Sequence, residues 1–190
     1  MSGRSLGLAR HPSAPCSFVR AVEVRADRPA AHRLSLHYSV EGNLDELQLP
    51  LPRRSAPADG LWQHTCFEAF VQRGDTRAYL ELNFSPSTEW AIYAFDDYRH
   101  GMQPRAPRRP PEIVTRRMGD RFELEARVDF GGLFTEPAPG VALRFAVAAV
   151  LEDRQGRLSY WALVHPSAER PDFHHPQSFT MELPPHGASA

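Results

Sequence analysis

Hydrophobic and polar residues alternate along much of this chain. In RLSLHYSV, residues 33–40, Leu34, Leu36, Tyr38 and Val40 fall on one side. RFELEARV, residues 121–128, repeats the pattern with Phe122, Leu124, Ala126 and Val128. RAYLELNF, residues 77–84, sets Ala78, Leu80, Leu82 and Phe84 against Tyr79, Glu81 and Asn83. A period of two is that of a strand with one buried face. Eight further stretches read as strands: SFVRAVEVRA, LDELQL, TCFEAFVQ, EWAIYAF, EIVTRRM, VALRFAVAAVL, RLSYWALV and SFTMEL. Within them RFAVAAVL is apolar on both faces, which places it mid-sheet. Turn signals separate the strands: EGN, RGD, MGD, EPAPG and DRQG. Only ADGLWQH and DFGGLF suit short helical turns. About eleven short strands joined by turns predict an all-β, antiparallel two-sheet sandwich of the immunoglobulin or jelly-roll kind, with a closed barrel as the alternative.

Two segments break the rhythm. LPLPRRSAPADG is a proline-rich loop, and HGMQPRAPRRPPE is a second one rich in arginine, extended and exposed. No internal repeat or second-domain boundary is visible. The expectation is one domain over 1–190, with its core at about 15–183 and a frayed tail, PPHGASA. A chain of 190 residues suits one domain with a real core.

Charge and composition narrow the function classes. The net charge is -1, so no global field draws the chain to nucleic acid or to an anionic membrane. The basic loop lacks the interleaved aromatics of a single-strand nucleic-acid binder. Every basic residue besides histidine is Arg. No stretch is long and apolar enough to span a bilayer, and the N-terminus does not read as a secretory signal. The expectation is therefore a cytoplasmic protein whose two cysteines, Cys16 and Cys66, are reduced thiols, with a Cys16–Cys66 bridge as the lesser reading.

LWQHTCFEAFV, residues 61–71, is the most suggestive local cluster, because it spaces His64, Cys66 and Glu68 two residues apart. On a strand all three point one way, and Phe67, Ala69 and Val71 point the other. Same-face neighbours on a strand are about 6.6–7 Å apart, so the outer pair lies about 13 Å apart. Zinc bonds are only about 2.0–2.3 Å long. One ion cannot join all three, and His165, His174 or His175 would have to complete any site. There is no HExxH, CxxC, GxSxG, P-loop or dinucleotide fingerprint. Glu68 and Glu81 could stand on adjacent strands as a glycosidase-like pair, or could hold ligand hydroxyls or pair with Arg99. Aromatics gather in the middle and late strands: Trp62, Trp90, Trp161, Tyr79, Tyr93, Tyr98 and Tyr160. A sandwich core and a sugar site need the same materials. By strand parity, however, Glu68, Glu81 and Asn83 avoid the apolar faces of their own strands.

Taken together, several stretches resemble the type 9 carbohydrate-binding modules. In DGLWQHTCFEAFV a Trp-led strand carries a Glu between apolar residues. YLELNFSPSTEWAIYAFDDYRHGM continues with aromatic–Glu–x–Asn and then Trp. RFELEARVDFGGLF resembles their later strand and turn. LRFAVAAVLEDRQGRLSYWALVHP and PDFHHPQSFTMEL resemble their close, a Trp strand followed by Phe-His-x-Pro and a final strand. The likeness covers roughly residues 15–183 and is strongest to the short bacterial proteins described as DOMON-like. It implies a sandwich that binds a ligand without transforming it. For a sugar, the matching positions are Trp62, Glu68, Asn83, Arg99, Trp161 and His174, with Glu81 added by parity. No cofactor is then needed. For the superfamily's alternative ligand, a b-type haem, Met102 with His165 or His174 would be the axial pair. A metal- or carboxylate-dependent hydrolase is the remaining alternative. A small-molecule or carbohydrate ligand is the expected partner.

Overall fold

The alternation folds as two antiparallel sheets packed face to face. The structure is a computed structural model and describes residues 5–74, 76–134 and 141–184. Thirteen strands occur among the described residues: β1 (Leu6–Gly7), β2 (Ala9–Arg10), β3 (Val19–Ala30), β4 (Arg33–Gly42), β5 (Cys66–Arg73), β6 (Tyr79–Phe84), β7 (Trp90–Phe95), β8 (Gln103–Pro104), β9 (Glu112–Met118), β10 (Arg121–Asp129), β11 (Leu143–Glu152), β12 (Leu158–Ala162) and β13 (Met181–Leu183). The first sheet runs β1-β3-β4-β10-β9 and the second β2-β12-β11-β5-β6-β7-β8, with β13 beside the start of β11. Among the described residues no helix is long and apolar enough to cross a membrane.

The core lies between the sheets and is built from the predicted faces. Leu34, Leu36, Tyr38 and Val40 of β4 stand opposite Val128, Ala126, Leu124 and Phe122 of β10 in register. They pack on Phe67, Ala69 and Val71 of β5, Leu80, Leu82 and Phe84 of β6, and the odd-numbered positions 145–151 of β11. Burying such side chains stabilises the fold by about 1.5–3 kcal/mol each. One polar bond crosses the interior: the Tyr38 hydroxyl donates to the Glu68 carbonyl oxygen at 2.6 Å.

Three expectations change. LDELQL is not a strand. Leu44–Glu46 forms a 3-10 turn, because the Asn43 carboxamide oxygen accepts the Asp45 N–H at 3.3 Å and Leu44 anchors the turn in the core. Order begins before residue 15. β1 joins β3 in the first sheet, Leu8 inserts into the core, and β2 joins β12 in the second. The two-residue strands β1, β2 and β8 are too short to show a period. The EPAPG turn lies outside the described residues, as do Asp75 of the RGD turn and all of the tail after its first proline. Cys16 and Cys66 are both buried and free.

The outward face of the second sheet sets up everything below. Phe70, Tyr79, Tyr93, Phe95, Ala146, Ala148, Val150 and Ala162 form a second apolar cluster there, closed over by Phe173 and Phe179. This is why RFAVAAVL is apolar on both faces.

Candidate functional site

Strand alternation turns Glu68 of β5 and Glu81 and Asn83 of β6 outward from the second sheet. In register Glu68 faces Asn83 on one side and Ala148 of β11 on the other, while Glu81 lies between Phe70 and Tyr93. Ala148 has no bulk to cover Glu68. A cleft of about 540 Å³ opens above, floored by Glu68, Glu81 and Val150. Trp62, Gln63, Leu158 and Tyr160 contribute one set of lining side chains, Phe95, Arg99 and Met102 another, and Pro171, Phe173 and His174 a third.

Each wall is held from behind. Gly60 takes a left-handed backbone, φ 73°, that starts the 3-10 turn Leu61–Gln63 and brings Trp62 over the sheet. Trp62 meets Tyr93 edge-on at 5.7 Å, and the Tyr93 hydroxyl donates to Asp59. Arg99 lies between β7 and β8 with φ 52°, unusual for a residue with a side chain. Its Nε and Nη2 donate to Asp172 Oδ1 at 3.2 and 2.9 Å, and the Tyr98 hydroxyl donates to the other oxygen. Asp172 thereby ties the β7–β8 connection to the segment carrying Phe173 and His174.

The imidazole is oriented too. The Tyr79 hydroxyl accepts the Arg99 backbone N–H at 3.2 Å and lies 2.8 Å from His174 Nδ1. On the other side of the ring, Nε2 lies 3.7 Å from Glu81 Oε2. Burial, with the Arg99 charge added, lowers the His174 pKa to about 4, so the ring is neutral at ordinary pH.

The carboxyls lie almost out of solvent: Glu68 is 3% exposed and Glu81 5%. Glu81 Oε1 accepts from the Asn83 amide at 2.7 Å. Glu68 Oε1 is buried and has no hydrogen-bond partner, a condition that costs about 1–3 kcal/mol. Burial and then the negative charge of Glu81 push Glu68 well above the usual carboxylate range. Burial likewise raises Glu81 to about 7, against the opposing pulls of Asn83 and Arg99. Asp172 goes the other way. Burial opposes its charge, but Tyr98 and Arg99 hold it below the ordinary value.

Of the predicted positions, Trp62, Glu68, Glu81, Arg99 and His174 come together in the cleft, with Met102 at the rim, 47% exposed. Asn83 is wholly buried and supports Glu81 from beneath while receiving the Cys66 thiol at 3.5 Å. Trp161 is a correction. It points into the core between the sheets, its Nε1–H donating to Ser159 Oγ at 3.1 Å. Its register partner is Ala149, on the core face of β11. The neighbouring Tyr160 faces the cleft instead. His64 leaves the trio: the strand starts only at Cys66, and the exposed imidazole pairs with Glu152 at 2.8 Å. Met102 and His165 do not meet either. His165 is absent from the cleft wall, its Nε2 lies 2.8 Å from the Ala9 carbonyl oxygen, and its ring packs edge-on to His11. No group of three or more His, Cys, Asp or Glu among the described residues is arranged to hold a metal ion.

Sequence reasoning missed Tyr160, Phe95, Phe173 and Asp172. Tyr160 had a signal in its parity opposite Trp161, but the partner strand β11 is apolar on both faces and could not say which face was which. Asp172 lies in a loop and had none.

No family model matches the sequence, and no curated protein does. Solved structures do match. A "putative carbohydrate-binding protein" from Bacteroides uniformis ATCC 8492 superposes with a TM-score of 0.71 at 16% identity, over 93% of this chain and 84% of that one. A family 9 carbohydrate-binding module from Caldicellulosiruptor kristjanssonii matches twice. Its complex with glucose gives a TM-score of 0.54 at 17% identity, over 98% of this chain and 86% of that one. Its complex with cellotriose gives 0.55 at 17% identity, over 98% and 84%. The chain has the fold of a family 9 carbohydrate-binding module. The antiparallel sandwich expected from the alternation is thus the architecture of its structural neighbours.

Proposed function

We propose that the protein is a non-catalytic binding module whose cleft holds a carbohydrate. The observation that carries this reading is the cleft on the second sheet, where flat aromatic side chains surround a small set of fixed polar groups. Trp62 and Tyr160 offer ring surface for the apolar C–H face of a sugar, and Glu68, Glu81, His174 and Arg99 offer hydrogen bonds for hydroxyls. The pocket is prearranged by Asp172, Tyr79 and Tyr93, so binding costs little ordering. The shared fold adds support, since the neighbouring module is described in complexes with glucose and with cellotriose.

Calorimetric titration with glucose, cellobiose and a panel of other mono- and disaccharides tests the reading. Saturable binding of at least one sugar, abolished by Trp62→Ala with the fold intact, is the expected result. Absence of heat and of any melting shift across the panel, with the wild-type fold confirmed, would sink it.

A further inference from the structure

The cleft holds more carboxyl groups than a neutral sugar needs. Two carboxyls form its floor, and Arg99 is the one cationic side chain among the described residues that line it. That guanidinium is already engaged by Asp172 through two of its nitrogens. His174 spends Nδ1 on Tyr79 and presents an uncharged ring to Glu81. Arg99 thus favours ionisation of Glu68 and Glu81 only from a distance, and neither carboxyl has a cationic group in hydrogen-bond contact among the described residues. Ionised together in a site shielded from water they would repel, and both hold their protons above the usual carboxylate range.

A neutral hydroxyl could donate one hydrogen bond to Glu68 Oε1 but would bring no charge to help either carboxyl ionise. An ammonium group has three donors and a full positive charge. It could serve both Glu68 Oε1, which has no partner, and Glu81 Oε2, which only faces His174 at 3.7 Å. The walls favour the same ligand, because the faces of Trp62, Tyr160 and Phe95 attract cations.

We infer that the ligand is an amino sugar, its ammonium group seated between Glu68 and Glu81 and its ring against the aromatic walls. This rests on the carbohydrate reading above and narrows it. The carboxyls then share one cation, and each becomes easier to ionise when the ligand binds.

The test compares two matched pairs by calorimetry at about pH 7: glucosamine against glucose, and galactosamine against galactose, with ethanolamine as a bare amine. In at least one pair the amino sugar binds about tenfold or more tightly than the neutral sugar, as expected for hydrogen bonds to charged groups. Glu68→Gln and Glu81→Gln, each checked for folding by its melting curve, shrink that ratio towards one. Equal affinities within both pairs overturn the amino-sugar inference and leave carbohydrate binding standing. No binding by any of the four sugars overturns both. Ethanolamine binding as tightly as the amino sugars overturns the seating of a sugar ring.

Discussion

The two outward faces of this sandwich follow the same alternation and reach opposite ends. On the first sheet the outward charges meet partners on the same or a neighbouring strand: Arg121 with Glu41, Glu123 with His37 and Arg121, and Arg127 with Glu125 and Glu112. All of these groups keep contact with water. On the second sheet the segments around residues 59–63 and 171–179 cover the outward face, and Glu68 and Glu81 sit beneath them with no cationic group in hydrogen-bond contact among the described residues. A carboxyl on the first face is an ordinary solvated charge, worth little to stability when paired. A carboxyl on the second face is held in a state that a ligand can change. What separates the two is the covering loops and the missing partner.

Five measurements would break or sharpen that contrast. The two tryptophans give the largest effect. Trp161→Ala, in the core, should cost about 3–5 kcal/mol in denaturant unfolding, whereas Trp62→Ala should cost under about 1 kcal/mol and abolish sugar binding. Equal stability losses would mean that the core and cleft assignments are wrong. Next is Asp172→Ala, which strips the partner from Arg99 and Tyr98. A loss of about 1–3 kcal/mol is expected, with sugar affinity falling about tenfold or more; an unchanged affinity would show that Arg99 needs no holding. Tyr38→Phe removes the bond from the first sheet to the floor of the cleft and should cost about 1 kcal/mol in the same unfolding assay.

The carboxyls themselves separate the faces more finely. Glu125→Gln should change stability by less than about 0.5 kcal/mol and leave binding alone. Glu68→Gln should leave the protein as stable or more stable above neutral pH, because an uncompensated buried carboxylate is gone, yet weaken sugar binding. A Glu68→Gln protein that is markedly less stable at high pH would contradict the unpartnered state described for Glu68.

The smallest effect is in pH dependence. Glu81 is raised from 4.5 to about 7 in the fold, so its contribution to stability falls as pH rises through that interval. Glu68, also raised, acts in the same direction. His174 is lowered from 6.5 to about 4, so its contribution falls as pH drops through that interval. The two slopes oppose each other over their shared range. His174→Gln removes one of them, and its melting temperature should fall more steeply with rising pH between 4.5 and 6.5 than that of the wild type. Parallel profiles would mean that His174 is not buried neutral.

Most of the fold was legible because a half-buried strand prints its geometry directly as period two. Ten of the eleven predicted stretches are strands; the exception, LDELQL, begins with the polar-capped turn Leu44–Glu46, and its leucines at 44, 47 and 49 follow period two only in part. The floor of the cleft was legible for a related reason. RFELEARV carries its own compensating arginines, while YLELNF carries a glutamate and none. Trp161 was carried over from the resemblance to the type 9 modules, and parity could not correct it, because β11 is apolar on both sides and gives that pairing no polar reference. Asp172 and Phe173 act through contacts made across about 70 residues or more, and nothing local in PDFHHP encodes such contacts.

The hydroxyl of Tyr38 has a mechanical consequence. Two apolar faces packed together hold each other by shape alone, through contacts that have no preferred direction. A single directional bond from the middle of one sheet to the backbone beneath Glu68 acts as a dowel between the layers. A tug on a bound ligand would then be resisted by both layers at once, and the floor of the cleft would keep its place while the rim gave way first.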